Sequence, residues 1–178
     1  MIITISGQVG SGKSTIGKEL AKKLKYRYIS MGEVFKKLAK EKNMNLTEFL
    51  KYAEKNLKVD KEIDESQKNP GQNCILDSRM GFYFANPDLK IWLKAPLEVR
   101  AKRIAKRESF KNEENIKEKI KEREKAERER YMRMYSVDIF DKNNYDLIID
   151  TAEYNINQVV EKIISAVKQK FAVKNLYK

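Results

Sequence analysis

The sequence predicts an α/β fold in which a parallel five-stranded sheet carries helices on both faces. Three observations predict it. Short β-branched, apolar runs recur along the chain. Helical patterns separate each run from the next. The first run passes directly into a glycine-rich turn and then a helix. The strand-like runs are residues 2–6, 73–76, 90–94 and 146–150, with a weaker one at 26–30. A length of 178 residues suits one domain spanning 1–178 with a real core.

Taken in order, Ile2-Ile3-Thr4-Ile5-Ser6 reads as a buried strand. The turn after it, Gly7-Gln8-Val9-Gly10-Ser11-Gly12-Lys13-Ser14, fills every fixed position of the phosphate-binding pattern G-x-x-x-x-G-K-[ST]. Ile16, Leu20, Ala21 and Leu24 then recur at helical spacing. Glycines let backbone N–H groups turn inward around an anion, and the helix N-terminus adds its dipole. Lys13 is placed to reach the β- and γ-phosphates of a nucleotide, and the Ser14 hydroxyl to bind Mg²⁺.

Residues 33–68 are polar for a core and hold three short helical patterns. One begins near Asn45, with Glu48 at capping-box spacing, and another near Asp60. Asn69-Pro70-Gly71 punctuates the chain before the next strong strand. That strand leads into Asp77-Ser78-Arg79. A carboxylate at the carboxyl end of a strand beside a phosphate loop can order Mg²⁺-bound water, or it can merely cap a turn; Arg79 is a candidate to grip an acceptor phosphate. After Pro96, Leu97, Ala101, Ile104 and Ala105 form a core face. Arg100, Arg103 and Arg107 lie on a neighbouring face, either closing over ATP phosphates or simply solvated. Residues 108–125, dominated by Lys and Glu, read as a candidate lid. The last helix starts near Asn155, with Gln158 three residues on, and buries Val159, Val160, Ile163, Ile164, Val167 and Phe171.

A helix over 113–135 carries Ile116, Ile120, Arg123, Glu127, Arg130 and Met134 on one stripe. Apolar residues flank a charged middle. An exposed, salt-bridged helix would explain charge runs of this kind; the flanking Ile and Met favour an inward, lined polar site, where unpaired charge is costly. Arginines are scarce, 9 against 29 lysines, and seven of the nine fall within residues 100–133. Guanidinium binds phosphate oxygens bidentately, as ammonium does not. Residues 94–133 hold 15 basic and 9 acidic side chains, a net of +6 and half of the chain's +12. Such a local excess suits a polyphosphate site better than the continuous stripe expected of a nucleic-acid binder.

The chain has no histidine, which removes the commonest general base. An acceptor phosphate needs none, because its second pKa is near ~6 and it is already an anionic nucleophile at neutral pH. One cysteine, Cys74, and no histidine exclude the usual zinc sites and any internal disulfide. Without a secretory signal or an apolar run long enough for a span, the expectation is a cytoplasmic protein that does not engage membranes.

Across nearly its whole length the chain resembles the archaeal type of cytidylate kinase, within the nucleoside monophosphate kinases. The resemblance rests on Ile29-Ser30-Met31-Gly32-Glu33-Val34-Phe35, on Glu48-Phe49 through Tyr52-Ala53-Glu54, and on Ile63-Asp64. It continues in Lys90-Ile91-Trp92-Leu93-Lys94-Ala95-Pro96 with Arg100, Arg103 and Arg107, then Arg123-Glu124 with Glu127, Arg130 and Tyr131. Tyr135, Val137-Asp138, Asp141 and residues 145–151 complete it. It implies a P-loop NTPase-type core with a helical monophosphate-binding insertion near 33–68 and a short lid. It also implies transfer of phosphate from ATP, with Mg²⁺, to CMP or dCMP.

By position, Gly7, Gln8, Val9, Gly10, Ser11, Gly12, Lys13, Ser14 and Thr15 would hold ATP phosphates, with Arg103 and Arg107 on the same side. Ser14 and Asp77 would serve the metal. Ser30, Gly32, Lys36, Asp77, Arg79, Arg123, Glu127 and Arg130 would face the acceptor, and Lys13, Arg79, Arg123 and Arg130 would act on the transferring phosphoryl group. Lys36 stands where the family often has arginine, Phe35 where some relatives carry tyrosine, and Asp77-Ser78-Arg79 where Glu/Asp-Gly-Arg is common. The expected partners are small molecules, with no nucleic acid, and the expected state is a monomer. Rival readings are a related small kinase acting on AMP, UMP or shikimate, and a basic nucleic-acid-binding protein that binds ATP. A GTPase is disfavoured by the lack of an Asn-Lys-x-Asp motif.

Overall fold

Strand β1 (Ile2–Gly7) takes the centre of the sheet, and its residues from Ile3 onward are buried. The computed structural model describes residues 1–108 and 113–176. Around β1 lie β2 (Arg27–Ser30), β3 (Cys74–Asp77), β4 (Leu89–Lys94) and β5 (Leu147–Asp150), all parallel, in the order β2-β3-β1-β4-β5. All five predicted strands are present. The third runs one residue further than its apolar pattern, so that Asp77 belongs to the strand and pairs in register with Ile5 and Ser30. Asp77 thus stands at the carboxyl end of the strand, where its place after the apolar run puts it.

Strand alternation sorts the two faces. Ile3 and Ile5 of β1 and Ile75 of β3 face α1 (Lys13–Leu24) and α8 (Ile156–Leu176), packing with Ile16, Leu20, Val159, Val160, Ile163 and Val167. Leu76 faces the other way, into a cluster with Met31, Phe49 and Ile63 from α2 (Met31–Glu41), α3 (Leu46–Lys55) and α4 (Leu57–Glu65). The predicted capping boxes form: Asn45 with Glu48 opens α3, and Asn155 with Gln158 opens α8. The helix expected to start near Asp60 starts instead at Leu57, because Asp60 is a buried ion-pair partner within its first turn and not a cap. Phe171 lies within α8, and its side chain lies outside what is described.

After β3 a short turn of helix, α5 (Gly81–Phe84), leads into β4. The long α6 (Leu97–Glu108) and α7 (Glu113–Tyr135) pack on each other through Ala101, Ile104, Ile116 and Ile120, with Val9 of the glycine-rich turn against them. Residues 109–112 of the expected lid lie outside the described residues; residues 113–125 form the first half of α7. Among the described residues, no helix is long and apolar enough to cross a membrane. Cys74 is buried and unpaired.

Candidate active site

The carboxyl ends of β1 and β3 set the site. Gly7 at the end of β1 has φ 146°, and a Cβ there would lie 2.1 Å from Leu93 O, so the chain leaves the sheet in a way only glycine permits. Gly12 has φ 94° and is the residue from which α1 starts. Unlike α2 and α3, which Ser30 and Asn45 cap, α1 has no side-chain cap and no acid in its first turn. Its orphan N–H groups remain available for an anion.

Lys13 Nζ folds back over the loop and donates to Gly7 O at 3.0 Å and Gln8 O at 2.9 Å. Burial, and after it the nearby positive charge of Arg79, draw the Lys13 ammonium down to about 7; Asp77 and Glu127 oppose this and Arg123 adds to it. A cation made unstable in this way is stabilised by a multiply charged anion.

Period-2 alternation puts Asp77 on the same face as Ile75, toward α1. There its Oδ2 accepts from Ser14 Oγ and from Tyr28 OH, both at 2.7 Å. Two hard oxygen donors side by side at the start of α1, next to the phosphate loop, are the donor set that Mg²⁺ uses when phosphates supply further oxygens. The residues therefore fit the ion. Tyr28 was not singled out from the sequence; its burial and the adjacent Asp77 push its phenol above the ordinary range.

The opposite wall comes from α7 and the turn after β3. Arg79 Nε lies 2.8 Å from Glu127 Oε2, and Arg123 Nε donates to Glu127 Oε1 at 2.9 Å. Burial by itself would push the Glu127 carboxyl up, but Arg79, Arg123 and Lys13 together hold it below its ordinary value. One carboxylate thus pairs with two guanidiniums, Arg123 from its own helix and Arg79 from the turn after β3.

Arg130 does not join this group. Its Nε donates to Asp60 Oδ2 at 2.7 Å and its Nη2 to Asp64 Oδ2 at 2.8 Å, with a second bond from Nη2 to Asp60. Tyr135 OH donates to Asp64 at 3.1 Å. This buried cluster ties α4 to α7. Gln67, which Asp64 and Ser78 contact, extends it to the residue before Arg79.

Arg100 departs from its expected place on a face closing over nucleotide. It is 4% exposed, and it donates to Ala95 O at 2.9 Å, Val9 O at 3.0 Å and Glu124 Oε1 at 2.8 Å. Three acceptors at the foot of α6 hold the guanidinium inward. Arg103 donates to Thr151 Oγ1 and O, and the Thr151 hydroxyl donates to Ser11 O of the phosphate loop at 2.9 Å. Arg107, in the last turn of α6, also has a partner. Gln8 Oε1 accepts from Ala95 N. Thr15 is exposed on the first turn of α1. Ser30 caps α2 by accepting from Glu33 N, Gly32 lies in that first turn, and Lys36 pairs with Glu33 on the exposed side of the same helix.

The sequence names Asp60, Asp64 and Glu124 but gives none of them its role, as partners of Arg130 and of the Val9 N–H. The first two do stand at i and i+4 in a Lys/Glu-rich stretch, a spacing that puts both on one helical face.

Comparisons with known proteins point the same way. The model of the cytidylate kinase-like family matches residues 2–153. A protein named cytidylate kinase from Methanosphaera stadtmanae is 43% identical over 173 residues, covering 96% of this chain and 99% of the relative. Another of that name, from Methanocaldococcus jannaschii, is 42% identical over 174 residues, covering 94% and 97%. Among solved structures, a shikimate kinase from Bacteroides thetaiotaomicron superposes with a TM-score of 0.63 at 12% identity, covering 94% of this chain and 98% of that one. That likeness shows the fold alone.

Proposed function

The chain belongs to the cytidylate kinase-like family, and from that premise we propose that it transfers the γ-phosphoryl group of ATP to CMP or dCMP. An oxygen of the acceptor phosphate attacks the γ-phosphorus, the bond to the β–γ bridging oxygen breaks, and ADP leaves with that oxygen. The products are ADP and CDP or dCDP. The observation that carries this reading is the convergence of Arg79, Arg123 and Glu127 on the side of the site facing Lys13 and the uncapped start of α1.

The phosphate-loop amides, Lys13 and Thr15 hold the donor. Ser14 and Asp77 would hold Mg²⁺, which would supply charge neutralisation for the polyphosphate. Arg79 and Arg123 grip the acceptor phosphate; in the free enzyme Glu127 accepts a hydrogen bond from Arg123 and is ion-paired with Arg79. Ser30, Gly32 and Lys36 line the acceptor side of α2. Arg103, through Thr151, and Arg107 support the donor side. Arg130 acts on the acceptor side as a positioning residue, holding α4 against α7. No side chain need act as general base, because the attacking phosphate is already ionised. Catalysis is positioning and charge neutralisation.

A coupled assay over CMP, dCMP, UMP, AMP and shikimate tests the acceptor. The expected result is the highest kcat/KM with CMP or dCMP; a preference for AMP or shikimate would overturn it. Lys13→Ala is expected to abolish nearly all turnover, and Arg123→Ala to raise KM for CMP with little change in KM for ATP.

A further inference from the structure

The outer side of the phosphate loop is held by side chains from α6 and α7. Glu124 Oε1 accepts from the backbone N–H of Val9 at 2.8 Å. The same oxygen accepts from Arg100 Nη1, which also donates to Val9 O. Both the N–H and the C=O of Val9 are thus fixed by one buried ion pair. Next to it, Gly10 packs so closely on α6 that a Cβ would meet Arg100 and Ile104 at about 3 Å. Val9 itself packs on the apolar seam between α6 and α7.

Glu124 follows Arg123 directly and lies one helical turn before Glu127 and Arg128. One turn of α7 therefore delivers Glu124 to the donor loop and Arg123 and Glu127 to the acceptor wall. A backbone bond to a carboxylate is stronger than one to a neutral group, and 14% exposure leaves this carboxylate little water to fall back on.

We propose that Glu124, clamped by Arg100, is a positioning residue that fixes the phosphate loop through the Val9 peptide and couples the donor site to the acceptor site through α7. It rests on the reading that the loop holds ATP phosphates. Neither residue touches substrate. The clamp keeps the loop amides aimed inward in the free enzyme, and it shifts with α7 when Arg79 and Arg123 exchange Glu127 for an acceptor phosphate.

The test is calorimetric titration of a non-hydrolysable ATP analogue with Mg²⁺, and of CMP, each alone and each in the presence of the other. It is run on the wild-type chain, Glu124→Ala, Glu124→Gln and Arg100→Lys, with circular dichroism on each. Binding of the analogue to wild type checks the functional reading; its absence would sink that reading, and with it the proposal that rests on it. Given that binding, Glu124→Ala is expected to weaken the analogue about tenfold, or about 1.4 kcal/mol. CMP alone should bind as before, and the mutual tightening of the two ligands should be lost. Glu124→Gln keeps an acceptor for Val9 N–H and is expected within threefold of wild type. Arg100→Lys keeps the charge but cannot span three acceptors, and is expected to resemble Glu124→Ala. If Glu124→Ala does not fold, Arg100→Lys decides by the same criterion. Wild-type affinity and coupling in the deciding variant, or equal losses for the analogue and CMP, overturn the proposal.

Discussion

The depressed Lys13 ammonium predicts that ATP binding takes up a proton. In the free protein the group titrates at about 7, chiefly through burial and then through the charge of Arg79. Contact with a polyphosphate restores the charged form, carrying the group back toward its ordinary range. With a pKa of about 7, Lys13 is about 50% protonated at pH 7 and about 9% at pH 8, so binding should take up about 0.5 proton at pH 7 and about 0.9 at pH 8. If only the protonated form binds well, affinity should fall about fivefold from pH 7 to pH 8, and close to tenfold in the next unit. Titration calorimetry of an ATP analogue with Mg²⁺ at pH 8, in buffers of different ionisation enthalpy, reads the proton number directly from the slope of observed against ionisation enthalpy. Lys13→Met should remove the uptake. A slope of zero in the wild-type chain at pH 8 would show that Lys13 is already charged in the free site, and the electrostatic account of the phosphate loop would fail with it. The same depression has a sign for stability. The unfolded chain keeps the Lys13 proton up to its ordinary range while the folded chain loses it at about 7, so this group's contribution makes stability rise with pH above about 7.

Three further outcomes are expected. Arg130→Met leaves Asp60 and Asp64 buried without their guanidinium and should cost about 3–5 kcal/mol in urea unfolding; an unchanged midpoint would mean that the cluster is solvated in solution. Asp64 is raised to about 6, by burial and by Asp60 against the opposing pull of Arg130. The folded state therefore keeps a proton that the unfolded chain releases near its ordinary value of 3.8, and this group makes stability fall as pH rises through that window. Asp64→Asn should lack that fall, and a wild-type pH profile in the variant would refute the assignment. Gly7→Ala places a methyl group against Leu93 O in a backbone conformation that L residues avoid, and should lose about 3 kcal/mol or more; a melting temperature within about 2 °C of wild type would contradict the close approach.

Much of the fold was legible because it rests on local signals. β-branched runs find strands, helical spacing finds α1 and α8, and Asn–x–x–Glu or Asn–x–x–Gln marks where helices start. The start of α4 was misplaced because Asp60 carries the same residue type as a cap while serving a partner 70 residues away, Arg130. The stripe on α7 is only partly inward-facing: Ile116, Ile120 and Arg130 are buried, whereas the Arg123 side chain is 52% exposed. Its members split between two clusters, Arg123 and Glu127 beside Arg79, and Arg130 with the acids of α4.

The sequence by itself determined where the phosphate cradle lies, since the positive-φ glycines and the uncapped start of α1 are set by residue types within one turn; its anchoring by Leu93, Thr151 and Glu124 is tertiary. It also determined that the arginines mattered, from their rarity. Only the tertiary structure decided which acid each arginine would hold. Arg79 and Arg123 share Glu127, Arg130 takes Asp60 and Asp64, and Arg100 turns inward to Glu124 and the Val9 peptide. The reason is physical: a buried guanidinium must find carboxylates or carbonyls wherever packing brings them. With 26 acidic residues in the chain, that choice is made by the docking of α4, α6 and α7 and not by spacing along the sequence.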